Sequence, residues 1–443
     1  MSEHSRGARR MFVKTACVLA SSSLVLTACS GGDDGSSTSA AEGGSSEGGT
    51  IEYWHRLPDN AGATKVNDIV AKWNDEHPDM QVKATKFEGD ADDSYNKIDA
   101  AIKAGTAPCL AQVSYSEMAQ QLVAGHVEDI AEYAKQYEDN YQPGAWGGVV
   151  LGEGIYGIPQ DTGPLVYFYD KAAFEELGID VPETWEDFTE AAEKAKEEGK
   201  YIGVFEPDEA GAIMAGLSAA NGAEWFATED DSWKIDIDGD KTQQVAELWQ
   251  GLLDDELVAN YERWGDDFKA ALNGGEIIGT VGAGWEVSLL PEDLPDGAQW
   301  GVAQLPVFDG ADQMSGPDGG SAISVLKGCE NPEGATEFAN WFNTQIPELT
   351  TQGLLPAAKG DVTTPEDLQK VYGEDNVYET IAEANANMNP NFAFSPTWPV
   401  VKQQINTDAG KVGSEGMTLD EVLTNAQKQG VSSLKDAGVS VKE

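Results

Sequence analysis

"GIYGIPQDTGPLVYFYDK", Gly154 to Lys171, sets two apolar runs on either side of Pro159, Gln160, Asp161, Thr162, Gly163 and Pro164. The first run reads as a short strand ending near Ile158, and the second, rich in β-branched and aromatic residues, as a strand from Leu165 to Tyr169. Two prolines and a glycine between strand-like runs predict a surface turn. An amide, a carboxylate and a hydroxyl side by side are more chemistry than a chain reversal needs, so the turn is also a candidate for ligand contact through Gln160, Asp161 and Thr162.

Upstream of this stretch, strands and helices alternate. "TIEYWHRL" reads as a strand, and Ala61 to Glu76 follows as a helix with Val66, Ile69, Val70 and Trp73 on one stripe. "QVKATKF" is the next strand, Ser94 to Ala104 the next amphipathic helix, "CLAQV" the next strand, and Glu117 to Ala124 another helix. Downstream the pattern restarts with "LVYFYD", a helix at Lys171 to Leu177, a capped helix in "VPETWEDFTEAAEKAKEEGK", and "YIGVF"; helices return at Pro332 to Asn343 and Leu419 to Lys428. Such an order implies an α/β fold, with mostly parallel sheets covered by helices on both faces. No fixed-period repeat or heptad seam interrupts it.

The start of the chain has the layout of a secretory signal: Arg6, Arg9, Arg10 and Lys14, then an apolar run too short to span a bilayer comfortably, then "LTAC" ending at Cys29. "SGGDDGSSTSAAEGGSSEGGT", Ser30 to Thr50, contains no core-forming residue and reads as a flexible tether. The roughly 390 residues beyond it exceed what one core spans, so two lobes are expected. The formal charge of −49 makes nucleic acid and anionic lipid poor partners and favours neutral or cationic solutes. Beyond Cys17 in the signal and Cys29, the remaining cysteines are Cys109 and Cys329, which can form one disulfide in an oxidising compartment or stay as two buried thiols.

Ligands in open α/β sheets sit beyond the carboxyl ends of the strands. That rule selects "WHRLPDN" (Trp54 to Asn60), "VSYSE" (Val113 to Glu117), "PQDTG" and "GTVGAGWEV" (Gly279 to Val287). Most of these ends join an aromatic or imidazole ring to hydrogen-bonding groups. Rings stack on the C–H faces of a sugar while amides and carboxylates pair its hydroxyls, so a neutral, hydroxyl-rich, flat-faced ligand suits the set.

From "LTAC" to its end the chain resembles the carbohydrate-binding extracellular solute-binding lipoproteins of ABC transporters, the group that includes the maltose-binding proteins. The resemblance rests on the ordered set "EYWHRLPDN", "KAGTAP", "AQVSYSE", "GIPQDTGPLVYFYDKAAFEELGI", "PETWEDF", "LNGGEIIGTVGAGWEV", "GGSAISVLKGCENPEGATEFANWF" and "FAFSPTW". It implies a two-lobe periplasmic-binding-protein-like fold whose lobes are joined by crossing hinge strands, with no catalysis and no cofactor. Residues 1–28 would be a signal peptide and 29–50 a lipid anchor and tether, with Cys29 acylated at the outer face of the cell membrane. Residues 51–161 with 320–360 would form the N-terminal lobe, and 162–319 with 361–443 the C-terminal lobe. "PQDTGP" would be the first crossing, "PDGGSAI" (Pro317 to Ile323, with Gly320) the second, and Ala357 to Pro365 the third.

Carried over by position, the resemblance implies ligand contacts from His55, Arg56, Asp59 and Asn60 after the first strand, Tyr115 and Glu117 after a second, and Asp161 and Gly320 at the crossings. It implies stacking by Trp285, Trp398 and Trp225, and more weakly by Trp264. It places Cys109 and Cys329 in one lobe, which favours their pairing. The expected partners are an oligosaccharide and the permease subunits of an importer, with the receptor a monomer that touches the membrane only through its anchor.

Rival signals are weak. "DIDGDK" with Glu247 imitates a calcium-loop spacing, but Lys241 stands where glycine is required, so a turn before a helix is the expected structure. "GSSEG" at Gly44 to Gly48 matches a nucleophile-elbow pattern inside the tether, and no phosphate-binding GxxxxGK[ST] occurs. Two further readings stand beside the sugar receptor: a secreted glycosidase using a carboxylate pair such as Asp161 and Glu286, and a receptor for peptides or cationic solutes, which the acidity suits.

Overall fold

A computed structural model of the chain describes residues 49–59, 62–89, 91–229 and 232–442. The signal, Cys29, the tether up to residue 48 and Asn60 lie outside the described residues. Three parallel strands, Ile51–His55, Val82–Lys86 and Leu110–Ser114, form one end of an eight-stranded sheet, with Ile51–His55 in the middle of the three. Ile51, Tyr53 and His55 are buried while Glu52 and Trp54 are half-buried, as the two-residue side-chain period of a strand requires. The helix over Val66–Glu76 buries the expected Val66, Ile69, Val70 and Trp73. It begins five residues after the predicted Ala61.

The expected turn at Pro159–Pro164 is not a turn. Ile158–Asp170 is one strand of 13 residues, buried along almost its whole length. Its first half pairs antiparallel with Pro317–Val325, and with Leu355–Pro356 on its other side; its second half pairs with Gly279–Ala283 and Trp300–Ala303. Prolines are tolerated because the pairing with Pro317–Val325 shifts register twice, between Pro317 and Gly320 and again between Ser321 and Ala322. Every antiparallel pairing in the eight-stranded sheet involves Ile158–Asp170 or Pro317–Val325. These two strands tie the parallel strands of one half to the other half of the molecule.

The apolar cores follow that division. One draws on residues 51–158 and 322–358, from Tyr53, Trp73 and Ile158 to Phe338 and Phe342. Two others lie on opposite faces of the long strand: Leu165 and Tyr167 point into one with Trp185, Trp249 and Trp398, and Val166 and Phe168 into the other with Trp300, Tyr372 and Tyr378. Alternation along an extended chain lets a single strand serve both. Helices cover both faces, including Trp185–Glu197, opened by a Thr184/Asp187 capping box, and Leu419–Asp436, opened by Thr418/Glu421. The result is a two-lobe α/β molecule with the long strand and its return partner running between the lobes.

Cys109 and Cys329 form a disulfide with 4.6 Å between their Cα atoms. The bond sits where Leu110–Ser114 and Pro317–Val325 already pair through Leu110 and Val325. Among the described residues, no helix is long and apolar enough to cross a membrane, and no group of three or more His, Cys, Asp or Glu side chains could hold a metal ion.

Candidate functional site

A cleft of about 550 Å³ opens between the lobes, over the crossing strands. One wall is built from the ends of the three parallel strands, including Lys86 to Gly89 at the end of the second. Arg56 follows Ile51–His55, and the two-residue alternation turns it away from the core side occupied by His55. Its guanidinium donates to Ser94 Oγ at 3.0 Å, to the Gln112 carbonyl at 3.1 Å and to Ser114 Oγ at 3.3 Å, and lies 5.3 Å from the centroid of the Tyr95 ring. Its backbone N–H donates to Gln112 Oε1 at 2.8 Å. Arg56 is thus immobilised as part of a polar wall that continues through Glu117 and Ser116.

The floor comes from the crossings. Asp161 lies on the cleft side of the long strand and accepts the Ser321 N–H at 3.0 Å. Burial pushes its carboxyl up to about 6, against the opposing pull of Ser321 hydrogen bonds and the Arg56 charge. Its neighbour Gln160 points the other way and donates to Tyr53 Oη and Asn343 Oδ1, each at 3.2 Å. Trp285 stands in the short 3₁₀ turn after Gly279–Ala283, half-buried, with Nε1 donating to the Asp318 carbonyl at 2.9 Å. That bond fixes the indole edge and leaves part of the ring facing the cleft. A Cβ on Gly319 would come within 2.9 Å of Trp285 Nε1, so the close approach depends on glycine there.

The far wall belongs to the other lobe. Glu209 and Ala212 come from the start of the helix Ala210–Ala220, Phe394 from the segment leading into the helix Trp398–Ala409, and Trp398 and Lys402 from that helix itself. Glu286, next to Trp285 in the chain, shares the buried Arg263 guanidinium with Glu206. Glu286 also accepts the Ala283 N–H at 2.9 Å, which closes the turn that carries Trp285. Burial pushes the carboxyl of Asp318 up to about 6, and nearby Arg263 and Lys402 pull it back.

Of the residues singled out in the sequence, Asp161, Glu117, Trp285, Trp398, Gly320 and Arg56 line this cleft. The others stand elsewhere. His55 faces the core, buried, 5.5 Å from the Tyr53 ring centroid; burial holds its pKa down at about 4. Asp59 is exposed beside it, outside the cleft lining. Tyr115 packs behind the crossing, where a Cβ on Gly320 would meet its ring at 2.9 Å. Trp225 is 0 % exposed, donating its indole N–H to Thr242 Oγ1 at 2.8 Å, and so offers no face to a ligand. Trp264 lies outside the lining, under the Arg263 guanidinium 4.7 Å away, at a left-handed φ of 57°. Trp398 reaches the lining but is 1 % exposed, because Phe394 packs on it at a centroid distance of 5.0 Å.

Several lining residues escaped sequence reasoning. Phe394, in the same "FAFSPTW" segment as Trp398, is the half-buried ring at the cleft. Glu209 closes "VFEPDE", the polar end of the strand Val204–Phe205, and the strand-end rule already applied elsewhere would have found it. Asp318 sits inside "PDGG", where turn composition masked it. Lys402 carries no local signal.

A family described as bacterial extracellular solute-binding protein matches residues 58–345 of the chain. The galacto-N-biose-/lacto-N-biose I-binding protein of an ABC transporter from Bifidobacterium longum, solved in complex with lacto-N-biose, is 42% identical at a TM-score of 0.86, covering 90% of this chain and 100% of that one. An ABC-transporter-associated binding protein from B. animalis subsp. lactis, solved with beta-1,6-galactobiose, is 26% identical at a TM-score of 0.78, covering 89% of this chain and 100% of that one. Among curated proteins, an arabinooligosaccharide-binding protein of Halalkalibacterium halodurans is 25% identical over 393 residues, 82% of this chain and 84% of its own length.

Proposed function

The chain belongs to the bacterial extracellular solute-binding protein family, and from that premise we propose that it captures a neutral oligosaccharide in the interlobe cleft and delivers it to the permease of an ABC importer. The observation that carries the reading is the cleft itself: one half-open indole, Trp285, above a floor of fixed hydrogen-bonding groups, in a volume of about 550 Å³ that falls in the usual range for small-molecule sites. Trp285 supplies a stacking face, while Asp161, Glu117, Arg56, Glu209 and Gln352, which also lines the cleft, supply polar partners for hydroxyls. Lobe closure around the sugar favours the closed form, and the ligand shifts the population by as much as it prefers that form. The lobes meet at the crossings near Asp161, Gly320 and residues 357–365. Cys29 is the lipidated residue that keeps the receptor at the outer face of the membrane; release of a Cys29→Ala form into the medium checks this.

The ligand returns intact. Of the Asp161–Glu286 pair considered for a glycosidase, Asp161 faces the cleft, while Glu286 is 1 % exposed and engaged by Arg263 and the Ala283 N–H. The related proteins are binding proteins. Calorimetric titration with lacto-N-biose, beta-1,6-galactobiose, an arabino-oligosaccharide and an oligopeptide tests the reading. At least one saccharide binds and is recovered uncleaved, and Trp285→Ala weakens it by about 1–3 kcal/mol. Binding of the peptide alone, or full saccharide affinity in Trp285→Ala, overturns it.

A further inference from the structure

Where the two lobes meet beside the cleft, one cation reaches from one to the other. Lys402 sits on the helix Trp398–Ala409, whose Trp398, Val401 and Ile405 are buried in a C-terminal-lobe core. Its Nζ lies 2.8 Å from Asp92 Oδ1 and 3.5 Å from Glu117 Oε1. Asp92 opens the helix Ala91–Ala104 and Glu117 belongs to Tyr115–Val123, and both helices pack on the opposite lobe through Tyr95, Ile98 and Met118. The Lys402 side chain is 16% exposed and that of Glu117 3%, so solvent screens their contact less than a surface pair, while the Asp92 side chain is 51% exposed and its contact with Lys402 is open to salt. These contacts require the lobes to be drawn together.

We infer that Lys402 is an interlobe latch: its ion pairs with Asp92 and Glu117 exist in the closed form, are lost on opening, and thereby set how tightly an uncharged sugar is held. The inference rests on the proposed closure mechanism. Closure brings the ammonium of one lobe to the two carboxylates of the other, and each unit of free energy gained raises the closed fraction and lowers the apparent dissociation constant in proportion. A neutral ligand has no charge for salt to screen, so salt dependence of its binding reports on protein–protein charge pairs made during closure. Glu117 and Lys402 also line the cleft, whereas Asp92 does not. Asp92 is therefore the position at which the latch can be altered without touching the ligand.

The test is titration of the wild type, Asp92→Asn and Asp92→Lys with the disaccharide that binds, between low and high sodium chloride. Wild-type affinity falls about three- to tenfold across the salt range, Asp92→Asn binds about two- to fivefold more weakly at low salt with a flatter response, and Asp92→Lys binds more weakly still. Dissociation rates carry the change, since the latch acts after encounter. Lys402→Met abolishes the difference between the Asp92 variants, which separates coupling through the lysine from a local effect on the helix. Equal affinity and equal salt response in wild type and both Asp92 variants overturns the latch while leaving the sugar receptor intact. If the wild type binds no saccharide, the receptor reading fails, and the latch is read from distances between spin labels on the two lobes of the ligand-free protein. The closely spaced population shrinks in Asp92→Lys; an unchanged distribution overturns the latch.

Discussion

Asp161 shows how much a single position in the crossing determines. Its carboxylate is 3% exposed, and burial pushes it up to about 6, whereas in the unfolded chain it titrates near its ordinary value of about 4. Between those values the folded protein holds a proton that the unfolded chain has released. Stability conferred by that proton is therefore present in mild acid and is lost as pH rises from about 4 through about 6. His55 acts in the opposite sense: held down at about 4 by burial, it costs stability as pH falls from about 6.5. The two can be separated by substitution. Melting temperature against pH should fall toward neutrality less steeply in Asp161→Asn than in the wild type, by up to about 3 kcal/mol of stability for a two-unit shift; parallel curves contradict the assignment. At this scale the sequence pointed to Trp285 as a residue of the cleft lining through its glycine neighbours and not through its residue type. An indole packs a core as well as it stacks on a sugar: Trp225 is buried with its N–H on Thr242, and Trp398 reaches the lining as a ring covered by Phe394.

The elements were more legible than their joints. Period-two and helical patterns gave the three parallel strands and the helix Val66–Glu76 because each buries one face of a local repeat. The crossing strand was misread because proline and glycine favour turns in a local window, while their tolerance in Ile158–Asp170 depends on a bulged partner more than 150 residues away. Gly163 shows why a small residue stands there. A Cβ at that position would lie 2.3 Å from the Asp318 carbonyl oxygen and 2.9 Å from the Gly320 nitrogen, both backbone atoms that cannot turn aside. The two crossings approach backbone to backbone, and the register shift between Pro317 and Gly320 lies opposite Gly163. Gly163→Ala should push the strands apart, cost about 1–3 kcal/mol of stability and weaken sugar binding in addition, since Asp161, Asp318 and Gly320 all border the cleft. Gly178→Ala, at a left-handed helix end with open space around it, provides the control: it should lower stability and leave affinity alone. An unchanged melting temperature in Gly163→Ala would show that the crossings can separate freely.

Over the whole molecule, chain order and space do not coincide. The N-terminal-lobe core is assembled from residues 51–158 and 322–358, with most of the other lobe inserted between them. The insertion explains why length alone implied two lobes yet could not say which segments belong together. The Cys109–Cys329 bond, with a sequence separation of 220, ties the two parts of that divided core. In the native state it joins places already held by the Leu110–Val325 pairing and the Leu326 N–H to Cys109 carbonyl bond of 2.9 Å. Its larger effect falls on the unfolded chain, where it forbids the many conformations in which the two segments drift apart. Replacing both cysteines by serine should therefore lower the unfolding free energy by about 2–5 kcal/mol in denaturant titrations. Neither cysteine lines the cleft, so saccharide affinity under native conditions should stay at the wild-type value. Loss of affinity with unchanged stability would reverse the argument, placing the bond in the hinge's service and not in the assembly of the divided lobe.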